Sequence, residues 1–174
     1  KDIPFFVQHE KDAQAIRSAG FTDVRILDEN TGFAGITLIK TSGQHGRPKV
    51  LEDMKALLGE VSGVVFKHPD EKTFYIAGDT VWCQAVEDNL KKYHPDIVVL
   101  NSCDAQVIGN ESIIMGKQDI YEVYKAAPEA TVIASHMEAV NHATLTRKEL
   151  RGFLSEKGMT QRVLVPEDGE SYTF

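Results

Sequence analysis

Short apolar runs alternate with amphipathic stretches along this chain, and glycine, proline and Asn/Asp clusters mark the joints between them. Residues 4–8 predict a strand, and residues 10–19 a helix, with Ala13, Ile16 and Arg17 at helical spacing and Gly20 as its stop. Residues 24–27 predict a second strand. After the turn Glu29-Asn30-Thr31-Gly32, residues 36–39 predict a third. A short helix over 51–58 ends at Gly59. Ser62–Lys67 and 73–77 predict two strands of a hairpin, joined through His68-Pro69-Asp70-Glu71.

The second half alternates more regularly. A helix over 81–93 is closed by Pro95. Residues 97–100 are continuously apolar and β-branched, the pattern of a strand buried on both faces. A looser stretch, 101–116, leads to a helix over 117–127 stopped by Pro128. A strand over 131–134 follows. Thr146-x-x-Glu149 predicts a capping box opening a helix to Glu156, with Gly158 at its end. Residues 162–165 predict the last buried strand. There is no internal repeat and no linker-like tract, so residues 1–174 are expected to form a single domain. Hairpins in the front half and strand–helix alternation in the back half predict an α/β protein with helices covering sheets.

Composition narrows the function classes. With 42% hydrophobic and 26% charged residues, the 174-residue chain has the makeup of a globular domain. A formal charge of −7 argues against a nucleic-acid backbone as the main partner. No apolar run is long enough to cross a bilayer, and no signal-peptide pattern is visible. Cys83 and Cys103 do not make a disulfide framework, which points to a reducing, cytoplasmic setting. The chain begins at Lys1 without an initiator Met and runs straight into its first strand. Such a start is expected of a trimmed protein.

Three predicted strands deliver a metal-binding side chain to their carboxyl ends. One is followed by Gly43-Gln44-His45-Gly46, one by Gly78-Asp79-Thr80, and one by Ser135-His136. Imidazole and carboxylate together suit zinc, and also manganese or iron. A carboxylate such as Asp79 is suited to lie between two metals. Gly43 and Gly46 allow tight backbone geometry around His45, and Gly78 a sharp turn before Asp79. Thr80 is placed to cap the helix that follows. Each residue alone also has a structural explanation: a loop histidine on the surface, an aspartate capping a helix, a satisfied core histidine. Only the three strand ends together point to a metal. Asp104, after strand 97–100, and His142, six residues beyond His136, are candidates for holding a ligand in place or touching substrate. A turn-forming aspartate and a surface histidine are the competing readings. Trp82 could wall a pocket or simply pack. Cys83 and Cys103 lack CxxC spacing and read as small buried hydrophobes. His9, His68 and His94 fall in turn or helix-end contexts and are assigned to the surface. Lys117 could meet an anionic substrate group, or be a solvated helix-start lysine.

The order Gly-Gln-His45-Gly, strand-Gly-Asp79-Thr, strand-Ser-His136 resembles the carboxyl-terminal two-thirds of a metallo-β-lactamase-fold hydrolase. The segment from Phe5 and Val7 through Asp12-Ala13 to Gly20-Phe21 and Asp23-Val24 is similar to the strand–helix–strand that follows that superfamily's first metal motif. The run Ser135-His136-Met137-Glu138-Ala139-Val140-Asn141-His142, with Pro166, Asp168, Gly169 and Glu170, is similar to metal-dependent hydrolases of the L-ascorbate-6-phosphate lactonase-like group. The resemblance implies an αββα sandwich, with His45 on a first metal, Asp79 bridging and His136 on a second. It implies two divalent ions, zinc foremost, with manganese or iron as alternatives. It further implies hydrolysis of an ester or lactone, an amide or a phosphodiester by a metal-bound hydroxide. The implied partner is a small-molecule substrate, with nucleic acid and membrane disfavoured and a homo-oligomer left open. The superfamily's His-x-His-x-Asp-His does not occur among His9, His45, His68, His94, His136 and His142. The expectation is therefore that this chain lacks an amino-terminal segment and that the catalytic residues lie upstream of Lys1. The alternative is a non-catalytic binding or structural module that keeps only part of the metal site.

Overall fold

The computed structural model describes residues 1–107 and 111–174, leaving the side chain of Lys55 aside. In chain order the elements are β1 (Phe5–Val7), α1 (Glu10–Ser18), β2 (Val24–Ile26), β3 (Thr31–Phe33), β4 (Ile36–Ser42) and α2 (Pro48–Leu58). There follow β5 (Ser62–Lys67), β6 (Phe74–Ile76), α3 (Gln84–Tyr93), β7 (Ile97–Asn101), α4 (Lys117–Ala126), β8 (Thr131–Ser135), α5 (Arg147–Glu156) and β9 (Val163–Leu164). Strands β3 to β9 form one seven-stranded sheet in sequence order, while β1 and β2 pair in parallel as a separate ribbon. From β3 to β6 every pairing is antiparallel, and from β6 to β9 every pairing is parallel. The hairpin half and the strand–helix half anticipated from the sequence are these two halves of a single sheet.

Register decides which residues share a face. Ile39, Val65, Tyr75, Val98, Val132 and Val163 are successive cross-strand partners. All are buried, and they meet Val86 and Leu90 of α3, Ile120 and Val123 of α4, and Leu150, Phe153 and Leu154 of α5 in one core. The neighbouring row, Lys40, Val64, Ile76, Val99, Ile133 and Leu164, points the other way and is only partly covered. Strand β7 is therefore buried on its helix face and half-covered at Val99, not sealed on both sides as its composition suggests. At the β3–β4 end, the β1–β2 ribbon lies over this second face. The rings of Phe6 and Phe33 meet there at 5.2 Å, and the Lys40 ammonium donates to the Gln8 carbonyl at 2.5 Å. Helix α1 packs on β1 and β2. At that end the layers run helix, sheet, sheet, helix, the αββα order.

Local chemistry accounts for most element ends. Thr146 and Glu149 form the capping box that opens α5, with Glu149 accepting from the Thr146 amide at 3.0 Å. Three expectations are corrected. The segment read as the turn 29–32 contains the start of β3, which pairs with β4 through a tight connection at Ala34 and Gly35, both at positive φ. Helix α2 begins at Pro48, not at 51, because proline fits the first turn of a helix, where its missing N–H is not needed. Helix α3 begins at Gln84 with Cys83 as its cap residue, so Thr80 is not a helix cap. Within the looser stretch, Gln106 and Ser112 form an isolated bridge, and 108–110 lie outside the described residues.

Two predictions follow from the packing. A Cβ at Gly63 would stand 2.5 Å from the Ile76 carbonyl oxygen and 2.8 Å from that of Ala77, both backbone atoms, whereas Gly152 on α5 faces open space. Gly63→Ala should therefore destabilise the protein by about 1–3 kcal/mol, and Gly152→Ala should stabilise it by about 0.5–1 kcal/mol. Urea denaturation measures both, and equal effects would contradict the packing. Tyr75 lies wholly inside, its hydroxyl oxygen accepting from the Asn89 amide at 3.3 Å, and burial pushes its phenol above the ordinary value of 10.0. The folded state thus favours the protonated ring. Its contribution to stability is intact below pH 10.0 and is lost as the pH rises through the higher folded value. Stability measured against pH should fall less steeply above pH 10.0 in Tyr75→Phe than in the wild type.

Candidate metal centre

Strands β4, β6, β7 and β8 run in one direction, because β4 is separated from β6 by the single antiparallel strand β5 and the rest are parallel. Their carboxyl ends share one edge of the sheet. His45 follows β4, Asp79 follows β6, Asn101 ends β7 and His136 follows β8. The open edge of a sheet is where loops can carry chemistry while the strands beneath stay rigid.

Each of the three donors is held from behind. The Nδ1–H of His45 donates to the carbonyl of Leu58 at 3.3 Å, a free carbonyl at the end of α2. A carbonyl can only accept, so the proton is on Nδ1 and Nε2 carries the lone pair. Asp79 is delivered by Gly78 at φ +74°, where a Cβ would come within 2.9 Å of the Ser62 carbonyl oxygen. The side-chain amide of Asn101 donates to its Oδ1 at 2.7 Å, and no hydrogen bond from the described residues reaches the other oxygen. His136 adopts a left-handed backbone at φ 61°, with Nδ1 3.5 Å from Sγ of Cys103. Burial pushes the Cys103 thiol up, so it stays neutral. That contact occupies Nδ1, and no hydrogen bond from the described residues reaches Nε2 of His136.

The His45 and Asp79 turns are also tied to each other. The Gln44 N–H donates to the Thr80 hydroxyl oxygen at 2.8 Å, and the Val81 N–H donates to the Gln44 carbonyl at 2.9 Å. The Thr80 hydroxyl in turn donates to the Val81 carbonyl at 2.9 Å, and the residue is completely buried. This is the task Thr80 has in place of helix capping.

The other residues singled out from the sequence have partners of their own. The Asp104 carboxylate accepts from the Ser112 hydroxyl, and its backbone sits at φ 49°, the turn-building arrangement. His142 is exposed beside Asn141, at 3.2 Å between Nδ1 and Oδ1. His9 caps α1, its Nδ1 accepting from the Asp12 N–H at 3.3 Å. His68 accepts from the Asp70 N–H, and His94 ends α3 in a left-handed conformation. Lys117 lies over the Phe153 ring. Trp82 packs against the core, Cys83 is half-buried, and Glu138 is exposed at φ 57° and paired with Arg147 at 2.7 Å. Asn101 was not anticipated. Its signal is a polar residue closing an apolar strand, which also fits a plain strand end.

The donor chemistry fits a divalent cation: two imidazoles, each with one nitrogen engaged, and a carboxylate with a free oxygen. The set is incomplete as a cage. Among the described residues no three His, Cys, Asp or Glu side chains converge as a metal-binding group. His45 borders a cavity of about 540 Å³ with Gln8, Lys40 and Glu60, while His136 borders another of about 310 Å³ with Arg147 and Asp168.

No protein-family model matches the chain. It is 54% identical over all 174 residues to UPF0173 protein YddR of Bacillus subtilis, spanning 67% of that protein. It superposes on the isothiocyanate hydrolase from Delia radicum gut bacteria with a TM-score of 0.95 and 46% identity, covering 99% of this chain and 67% of that one. A possible metal-dependent hydrolase from Veillonella parvula gives 0.96 and 43%, with the same coverage. The metallo-β-lactamase fold protein YhfI from Bacillus subtilis, at 12% identity and TM-score 0.66 over 97% of this chain and 63% of that one, shares the fold alone. With its sheet order, its strand-end donors and this degree of identity, the chain belongs to the UPF0173 family and is a hydrolase of the metallo-β-lactamase fold.

Proposed function

We propose that His45, Asp79 and His136 hold two divalent metal ions, zinc foremost, with manganese or iron as alternatives, for hydrolysis of a small electrophilic substrate. The observation that carries this reading is that each donor stands at the end of a co-directional strand with its far side engaged by a neighbour. His45 is engaged by the Leu58 carbonyl, Asp79 by Asn101 and His136 by Cys103. Such backing fixes ligand orientation and raises ligand basicity. His45 would serve one ion and His136 the other, with Asp79 between them. When bound, the ions would supply Lewis acidity and acidify water at neutral pH.

The chain's own contribution is placement. Asn101 keeps the Asp79 carboxylate oriented, and Gly78 turns the chain just before it. The Thr80–Gln44 bonds hold the His45 turn at a fixed distance from it. Among the described residues the three donors do not close a metal-binding group by themselves, so further ligands would complete the site, and the third of the relatives' length that this chain does not span is where we place them. The isothiocyanate hydrolase among the relatives makes an isothiocyanate the first substrate to test, ahead of a lactone or ester, an amide and a phosphodiester. The net charge of −7 favours a small molecule over a nucleic acid. Two unpaired cysteines fit a cytoplasmic setting. Among the described residues no helix is long and apolar enough to cross a membrane.

The full-length protein purified without chelator should carry stoichiometric metal by elemental analysis. Asp79→Asn should lower metal affinity or hydrolysis at least about 100-fold, and EDTA should abolish turnover, with zinc, manganese or iron restoring it. Wild-type protein free of metal, with hydrolysis indifferent to EDTA and to Asp79→Asn, would leave the non-catalytic module as the better reading. Asn101→Ala keeps all three donors and should cost about 10–100-fold in metal affinity.

A further inference from the structure

Asp119, on the first turn of α4, is almost entirely buried, at 3% exposure. It is a singular place for a carboxylate, and the ordinary explanation is helix capping: its Oδ2 accepts from the Gly116 N–H at 2.9 Å, the reciprocal bond of a capping box. Capping uses one such bond. This carboxylate takes three more contacts, all from outside the helix. One Nη2 of Arg47 lies 2.7 Å from both oxygens, and the Trp82 N–H donates to Oδ1 at 3.3 Å. Arg47 is two residues beyond His45, and Trp82 is three beyond Asp79. Gly116 closes the loop that leaves β7, the strand ending at Asn101. One buried charge thus joins the continuations of the β4, β6 and β7 ends.

We infer that Asp119 is a positioning residue of the metal centre, acting through Arg47 and Trp82 to set the separation of His45 from Asp79. The inference rests on the reading of those two residues as ligands. The two turns are already stitched through Gln44, Thr80 and Val81, and Asp119 anchors Arg47 and Trp82 just beyond them, so that the His45 segment is held before and after and the Asp79 segment at two points after it. Burial is what gives the anchor its strength. A carboxylate–guanidinium contact is strong and directional, and loss of Arg47 leaves the buried Asp119 side chain poorly solvated. The Arg47 backbone is fixed as well, its N–H donating to the Ser112 carbonyl at 3.1 Å, while its side chain is one-third exposed.

The test compares Asp119→Asn, Arg47→Met and Leu150→Ala in the full-length protein, titrated with zinc after chelator treatment. Arg47→Met leaves the Gly116–Asp119 cap intact, which separates positioning from helix capping. Leu150 is a buried core residue of α5 and reports generic destabilisation. Asp119→Asn and Arg47→Met should each weaken zinc binding about 10–100-fold, with the helical circular dichroism of Arg47→Met unchanged. Leu150→Ala should lower Tm and leave zinc affinity as it was. Wild-type zinc affinity in both anchor variants overturns the inference, as does a loss in all three that simply tracks Tm. A second readout needs no metal. Trp82 is the single tryptophan, and its emission together with amide exchange at Trp82 and the ring resonances of His45 report the clamp directly. In zinc-free Asp119→Asn the Trp82 amide should exchange faster and the His45 resonances should move. If they do not, the clamp is refuted. If they do while the wild type binds no zinc, the metal reading fails and the clamp stands.

Discussion

The parallel register of β6, β7 and β8, extended to β4 through one antiparallel neighbour, is the constraint on which the rest of this molecule depends. It brings four strand ends to one edge of the sheet. A shift of one residue would turn Tyr75, Val98 and Val132 out of the core and put Ile76, Val99 and Ile133 in their place. It would also move Asp79 away from Asn101. The same hydrophobic burial that holds the sheet therefore sets the positions of the donors. This is why a site on strand ends can be rigid although every donor belongs to a turn.

Rigidity at that edge comes from polar groups more than from packing. Thr80 is fully buried and has its hydroxyl bonded on both sides, and Asp119 is nearly buried, capping its own helix at Gly116 and reaching Arg47 and Trp82 beyond two of the strand ends. Buried polar groups are costly when unsatisfied. An edge built from them has one arrangement in which all are satisfied and few near it. Apolar contacts would tolerate sliding, and these do not. The left-handed backbone at Asp104, His136 and Glu138 belongs to the same economy of conformations, since it persists only where surrounding bonds determine it.

Much of the secondary structure was legible. The capping box at Thr146 and Glu149, the β5–β6 hairpin and helices α1 and α4 are written in local chemistry that needs no distant partner. The missed strand β3 was not written there. Thr31 and Gly32 have turn composition, and only pairing with Leu38 and Thr37 makes them strand. Thr80 misled for a related reason. A threonine before a helix usually caps it, but here the Gln44 N–H, distant in sequence, competes for the hydroxyl and wins.

The sequence by itself determined the alternation of elements, the two-halved character of the sheet and the strand-end placement of His45, Asp79 and His136, because each depends on periodicity and on residues adjacent along the chain. The tertiary structure alone decided which strand ends share an edge, that Asn101, the Leu58 carbonyl and Cys103 stand behind the three donors, and that Asp119 reaches the turns after two of them. Those contacts join residues 13 to 72 positions apart. Nothing in local propensity encodes them, and only the closing of the sheet and its helices around one core brings them within reach.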